Sequence, residues 1–512
     1  MNSALGIKQE KNHTLILGWS ERIFPLISEI AASQKNVSNK VTIFADQDPA
    51  KMKELVAKYV ANLARTRITY LKGNPIHFAE LSSIDLSDIA SVITIDSDSE
   101  DGAETIGALL AIKARDPESQ RHIVAELNNE NNKVALSHLH GNSLKIIHSN
   151  EIAARVLAQS IRQPGFAAAI NSFLSFKNTQ LYTQEVSQLL GWQYQAAVSS
   201  FEKASVIGIK TTEDEIHLNP EPGYLINKGD QIIAIAESAD EIIYTGVRDH
   251  IASVKPRKIT TKPQVKKAAH YLFIGFSSIA KSVIDEMVPQ LSRGSSIQVL
   301  ADPALFNRKL ITSKQLKGVT IKFTPQAEDV ATLTKVAMSR DFDGITVFSY
   351  RQGLSKSKAD AQTLKTILIL KKLFANKKGN SHGPRVSAEI LDTRKERSAQ
   401  ISGVDDLVVI DDLTSLLTAQ TSVNTDLVPI FDQLFGNNGS KIKMLSVSDY
   451  VEVGKEFTYA RMVAAAAVRG ESVIGYGTFK SGLTSAEEKI VINPPKSAIY
   501  FTNPNDKLIV VS

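Results

Sequence analysis

The sequence predicts an α/β protein in which a doubly wound parallel-sheet domain and a small α+β module each occur twice. Three observations carry this. Short β-branched apolar runs stop at glycine or an acidic residue, the segments between them have helical composition and length, and the whole series recurs in order at a near-constant spacing. Strands that are apolar on both faces belong in the middle of a parallel sheet covered by helices on both sides.

Leu15-Ile16-Leu17 ends at Gly18, and Ile23, Phe24, Ile27 and Ile30 then recur at helical spacing, so the chain opens as strand, tight turn and helix. The runs 41–45, 68–71, 92–95 and 123–125 stop at or near Asp46, Gly73, Asp96 and Glu126, which gives four more strands. Segments 49–63 and 102–114 read as helices between them, and together these elements form a doubly wound domain over 12–150. Beyond residue 165 the strands shorten: 205–209 and 231–236 are separated by Pro220, Pro222, Gly223 and Gly229, the pattern of a small α+β module over 165–245. The stretch 250–267 is basic, broken by Pro256 and Pro263, and without apolar period. It reads as a solvated linker, since interleaved aromatics for nucleic acid are missing.

The chain then starts again. His13-Thr14-Leu15-Ile16-Leu17-Gly18-Trp19-Ser20 is answered 257 residues on by His270-Tyr271-Leu272-Phe273-Ile274-Gly275-Phe276-Ser277. Asp46 is answered by Asp302 and Glu126 by Glu389, while Leu218-Asn219-Pro220 is answered by Ile492-Asn493-Pro494. A second doubly wound domain over 268–420 and a second small module over 440–512 follow from these ordered matches.

Composition narrows the function. With 512 residues, 43% hydrophobic and 22% charged, the chain has the makings of several globular domains, and its formal charge of +5 is too slight for a nucleic-acid binder of this size. It has no cysteine, which removes disulfides, thiolate nucleophiles and Cys-based metal sites and makes the cytoplasm the natural compartment. No run approaches the roughly 18 apolar residues of a membrane span, and the first residues lack the apolar core of a signal peptide.

In an open parallel sheet, ligands sit beyond the carboxyl ends of the strands, beside a helix N-terminus with unpaired N–H groups. The polar residues collect there: Gly18, Trp19 and Ser20, then Asp46, then Gly73 and Asn74, then Asp96, and finally Glu126. The first turn reads Gly18-x-Ser20-x-x-Ile23, and in the second copy Gly275-x-Ser277-x-x-Ala280, so only the first glycine of the dinucleotide fingerprint is kept. Serine crowds a pyrophosphate, yet its hydroxyl can still bond a phosphate, which leaves room for weak adenine-nucleotide binding without a nicotinamide reaction. Asp46 is placed either to hold ribose hydroxyls or to serve as a solvated carboxylate or a cap for the helix that begins at Pro49. Asp96, Asp98, Glu100 and Asp101 crowd oxygen donors together, as Ca²⁺ or another divalent cation requires, although acids also enrich at helix starts. His138 and His140 form no ligand motif, and no P-loop, nucleophile elbow or catalytic triad is visible.

Several of these stretches have a likeness. Asn12 to Ser20, Gly73-Asn74-Pro75, the acidic segment after Ile95, Arg121 to Leu127, Arg162-Gln163-Pro164-Gly165, Leu218-Asn219-Pro220 and Lys228-Gly229-Asp230 resemble the cytosolic part of the CASTOR/POLLUX family of ion channels. The resemblance covers most of the first half and weakens in the second. It implies tandem RCK-type domains, each a Rossmann-like N-lobe with a small C-lobe, assembling as a homo-tetrameric gating ring at the cytoplasmic side of a transmembrane cation pore. No pore helix precedes Asn12, so the resemblance implies either an isolated ring portion or a soluble subunit that associates with a separate pore.

The leading expectation is therefore a non-enzymatic regulatory module that couples ion or nucleotide binding to pore opening. A soluble regulator of the TrkA type, for potassium uptake, is the alternative within that class, and an NAD-dependent oxidoreductase the alternative from another. The first N-lobe is expected to be the principal sensor, because its acid cluster is answered in the second only by Ser349-Tyr350-Arg351-Gln352.

Overall fold

The computed structural model describes residues 13–33, 38–95, 102–117, 121–127, 144–177, 179–246, 267–306, 313–375, 383–424, 427–435, 439–479 and 489–512. Asp96, Asp98, Glu100, Asp101, His138, His140 and nearly all of the basic stretch 250–267 lie outside these. The chain divides into two compact units, residues 1–150 with 411–428, and residues 151–410 with 429–512.

The first unit is built on six strands, β1 (His13–Leu17), β2 (Asn39–Ala45), β3 (Thr66–Lys72), β4 (Ser91–Thr94), β5 (His122–Glu126) and β6 (Leu144–Ile147), in the spatial order β3-β2-β1-β4-β5-β6. All pairings are parallel, and the order reverses between β1 and β4. Helices α1 (Ile23–Ser33), α2 (Pro49–Tyr59), α3 (Phe78–Leu81) and α4 (Ala103–Arg115) belong to the same lobe. Leu15, Leu17, Val92, Leu109 and Ile112 meet in one apolar core, as the run-and-period reading requires. The helix expected over 49–63 ends at Tyr59, where Val60 turns extended. Strand β6 was not among the expected runs; Lys145 interrupts its apolar pattern, and three of its four residues are only half-buried.

The second unit holds the repeat and both small modules. Its large sheet comprises β11 (His270–Ile274), β12 (Ser296–Ala301), β13 (Lys314–Leu316), β14 (Val319–Pro325), β15 (Gly344–Val347), β16 (Arg385–Ile390) and β17 (Asp406–Val409) in the order β13-β14-β12-β11-β15-β16-β17. Apart from the added antiparallel edge strand β13, the order is that of the first sheet. Register repeats as well: Leu17 stands beside Phe44 and Thr94, and Ile274 beside Leu300 and Val347. The α/β duplication expected from spacing is thus a duplication of topology.

The small modules repeat each other too. Strands β7 (Gln180–Gln184), β8 (Ser205–Lys210), β9 (Ile216–Leu218) and β10 (Gln231–Ala236) form an antiparallel sheet ordered β7-β10-β8-β9. Strands β18 (Ile442–Ser446), β20 (Ser472–Thr478), β21 (Lys489–Ile492) and β23 (Lys507–Val511) form another ordered β18-β23-β20-β21, and β19 (Glu456–Thr458) pairs with β22 (Ile499–Phe501). Phe201, Val206 and Ala234 of one module share a single core with Tyr459, Val463 and Val510 of the other. The recurrent Asn-Pro step explains itself here. Asn219 Nδ2 donates to Gly470 O at 2.7 Å and its Oδ1 accepts from Ser472 Oγ at 2.8 Å, while Asn493 Nδ2 donates to Lys203 O at 2.8 Å and its Oδ1 accepts from Ser205 Oγ at 2.8 Å. Both asparagines hold left-handed φ, 45° and 49°, which this residue tolerates better than most. Each module clasps the other through the same motif.

Candidate functional site

The first turn is shaped by a close approach of backbones. Gly18 has φ 101°, and a Cβ there would stand 2.3 Å from Ile95 O; Gly275 has φ 80°, with 2.2 Å to Phe348 O. Glycine is therefore required in both copies by the neighbouring strand end, whatever occupies the crevice. Ser277 Oγ caps the following helix by accepting from Ala280 N at 3.4 Å. Ser20, by contrast, is buried and accepts from Arg22 Nε at 3.4 Å.

Arg22 was not anticipated, and it determines what Glu126 does. The two form a buried ion pair, and Ser149 Oγ donates to the same carboxylate at 2.9 Å. Glu126 therefore has a partner inside the lobe. The second lobe keeps the arrangement with a different cation: Arg351 Nη2 lies 3.2 Å from Glu389 Oε1, and Ser349 N donates to Oε2 at 3.1 Å. Arg351 thus faces a carboxylate instead of standing as a lone charge. The only local signal for Arg22 is a cation placed directly before the apolar face of a helix.

A cleft of about 330 Å³ opens at the carboxyl ends of β1, β2 and β4, at the small end of the usual range of about 300–1,000 Å³ for ligand pockets. Gly18, Trp19, Asp46 and Asn74 line it, whereas Ser20, Gly73 and Glu126 are not among its walls. Gly73 packs beneath the Phe44 ring, where a Cβ would come within 2.3 Å. Asn74 supports its own loop, its Oδ1 accepting from Ile76 N at 3.1 Å. Asp46 does not cap the next helix, because Asp48 does so by accepting from Ala50 N at 2.7 Å.

Four further polar side chains join them: Gln47, Thr94, Glu104 and Thr105. Thr94 and Thr105 are each 1% exposed, and their hydroxyls have no hydrogen-bond partner among the described residues. Among the described residues, none of the lining side chains is Lys, Arg or His. Among the described residues no group of three or more His, Asp or Glu comes together as a metal cage.

At the corresponding strand ends of the second lobe a buried tyrosine spans the crevice. Tyr350, 1% exposed, leaves the end of β15 and reaches across to β12, where its hydroxyl accepts from Asp302 N at 2.7 Å and donates to Glu328. Burial pushes the Glu328 carboxyl above its ordinary range, partly offset by bonds from Tyr350, Gln362 and Thr366. Phe276, which follows Gly275 in the turn, meets Phe306 with ring centroids 5.3 Å apart and planes tilted by 56°. Nearby, burial raises Asp360 to about 7, although it accepts from Leu391 N at 2.9 Å and Asp392 N at 3.1 Å.

Comparison with known proteins agrees with this architecture. Residues 150–251 match the family described as Castor and Pollux, part of voltage-gated ion channel. The chain is 23% identical over 525 residues to the probable ion channel CASTOR of Oryza sativa subsp. japonica, covering 95% of this chain and 58% of the relative, so it spans somewhat over half of that protein's length. It is 24% identical over 244 residues, 46% of this chain and 65% of the relative, to the calcium-gated potassium channel TvoK of Thermoplasma volcanium. Among solved structures, the human SLO3 gating ring superposes with a TM-score of 0.64 at 13% identity, covering 98% of each chain. Among the described residues no helix is long and apolar enough to cross a membrane. By sequence the chain is similar along nearly its whole length to the CASTOR and POLLUX ion channels, and it shares the tandem RCK-type fold of a gating ring.

Proposed function

We propose that this chain is a ligand-sensing regulatory module of a cation channel, with the first-lobe cleft as its sensor and no catalytic activity of its own. One observation carries the reading: of two lobes with the same topology, the first has an open crevice at its strand ends, and across those of the second a buried Tyr350 reaches from β15 to the end of β12. A duplicated scaffold that retains one site suits an input element joined to a structural one. Four copies would form a homo-tetrameric ring on the cytoplasmic side of a pore carried by the same polypeptide or by a separate one.

A ligand shifts such a ring only through unequal affinity for its two arrangements. A tenfold preference is worth about 1.4 kcal/mol per cleft, and four clefts multiply it. Two ligand types fit the reading: Ca²⁺ or another divalent cation, supported by the acidic run Asp96, Asp98, Glu100 and Asp101 and by the likeness to a calcium-gated channel, and a weakly held adenine nucleotide. Redox chemistry is disfavoured because Ser20 and Ile23 stand where a pyrophosphate turn asks for glycine, and both are buried.

The test is calorimetry with Ca²⁺, Mg²⁺ and ADP on the wild type and on the Asp98→Ala, Asp101→Ala double variant. Cation binding that weakens at least tenfold in the variant supports the cation sensor. Measurable NADH turnover, or absence of binding by all three ligands, overturns the reading.

A further inference from the structure

We infer that the first-lobe cleft is built for an unphosphorylated ligand with a planar ring and hydroxyl groups, the chemical class of a nucleoside. This rests on the reading of that cleft as the sensor and narrows what it senses. The first ground is charge. Asp46 and Glu104 line the cleft and, among the described residues, no basic side chain does, so a phosphate would enter beside two carboxylates with no lining cation. Hydroxyls meet no such obstacle, since a carboxylate at the end of β2 is a natural acceptor for a diol.

The second ground is the pair of buried hydroxyls. Thr94 on β4 and Thr105 on α4 both line the cleft, and the buried hydroxyl of neither has a protein partner among the described residues. A buried hydroxyl left unpaired costs about 1–3 kcal/mol, which a ligand donor or acceptor at that depth would relieve. In the second lobe, register places Val347 where the first has Thr94. The lobe whose strand ends are spanned by its own Tyr350 has no hydroxyl at that position.

The third ground is what spans the second crevice. Tyr350 presents a neutral aromatic ring with one hydroxyl, lying over the strand ends and bonded at the end of β12. The same topology therefore accommodates a flat ring with a polar tip. In the first lobe Trp19, Ile76 and Ile95 offer an apolar wall for such a ring.

The sequence has two tryptophans, so a Trp192→Phe variant of the full chain leaves Trp19 as the sole indole reporter. Its emission is titrated with adenosine, ADP and CaCl₂. Adenosine is expected to give a saturable change, ADP to bind at least tenfold more weakly, and the Thr94→Val, Thr105→Val pair to weaken adenosine at least tenfold. These valines replace unpaired hydroxyls at nearly constant shape, so the melting temperature without ligand should hold or rise, which separates lost binding from lost folding. ADP binding as tight as adenosine, or wild-type adenosine affinity in the valine variant, overturns the inference. A response to CaCl₂ or ADP but none to adenosine overturns it while leaving the regulatory reading intact; no response to any of the three overturns both.

Discussion

Arg22 and Glu126 are 6% and 4% exposed, and they join the first turn to the end of β5 across 104 residues of chain. Removing one member of a buried pair strands the other charge in a poorly solvated place. The Arg22→Ala variant, made in the Trp192→Phe background, is therefore expected to lose about 3–5 kcal/mol of stability in the first lobe, read as a lower urea midpoint by Trp19 fluorescence. The Arg22→Met, Glu126→Leu double variant should lose less than the single one, because it leaves no stranded ion; an equal or greater loss would show that the pair acts through something other than charge. Glu126 was visible in the sequence as an acid at a strand end. That its carboxylate serves Arg22 was not, because burial of a cation is decided by what packs over it and not by its neighbours in the chain.

At the scale of elements, the Asn-Pro repeat shows how a local motif acquires a tertiary task. Sequence comparison isolates Leu218-Asn219-Pro220 and Ile492-Asn493-Pro494 as equivalent, and the structure makes each the clasp on the other's module. Asn219→Ala removes two hydrogen bonds to Gly470 and Ser472 and places alanine at φ 45°. With about 1 kcal/mol for each bond and 1–2 kcal/mol for the backbone, a loss of roughly 3 kcal/mol is expected in thermal or urea unfolding. Asn219→Gly should recover the backbone part, since glycine accepts left-handed φ, and so fall between the alanine variant and the wild type. Strand β6 shows the opposite case: its existence depends on pairing with β5, and half-buried edge strands carry too little apolar pattern to announce themselves.

For the whole molecule, a gating-ring reading requires self-association. Size-exclusion chromatography with light scattering is expected to give a homo-tetramer at micromolar concentration, and a monomer would count against the ring. The sequence by itself determined the parallel α/β class and the duplication, because hydrophobic period, turn chemistry and repeat spacing are properties of short stretches of chain; the order of the strands in each sheet came from the structure. The sequence also put Gly18, Trp19, Ser20, Asp46, Gly73, Asn74, Asp96 and Glu126 at the strand ends, since the strands of a doubly wound sheet end on the same edge; of these Gly18, Trp19, Asp46 and Asn74 line the cleft, Ser20, Gly73 and Glu126 do not, and Asp96 lies outside the described residues. Only the tertiary structure decided that Glu126 is paired, that the Thr94 and Thr105 hydroxyls are buried without partners among the described residues, and that Tyr350 spans the strand ends of the second lobe. It also decided that residues 411–428 cluster with the first lobe and not with the lobe they follow in sequence. Each of these is a contact between segments far apart in the chain, where packing selects the partner and local pattern is silent.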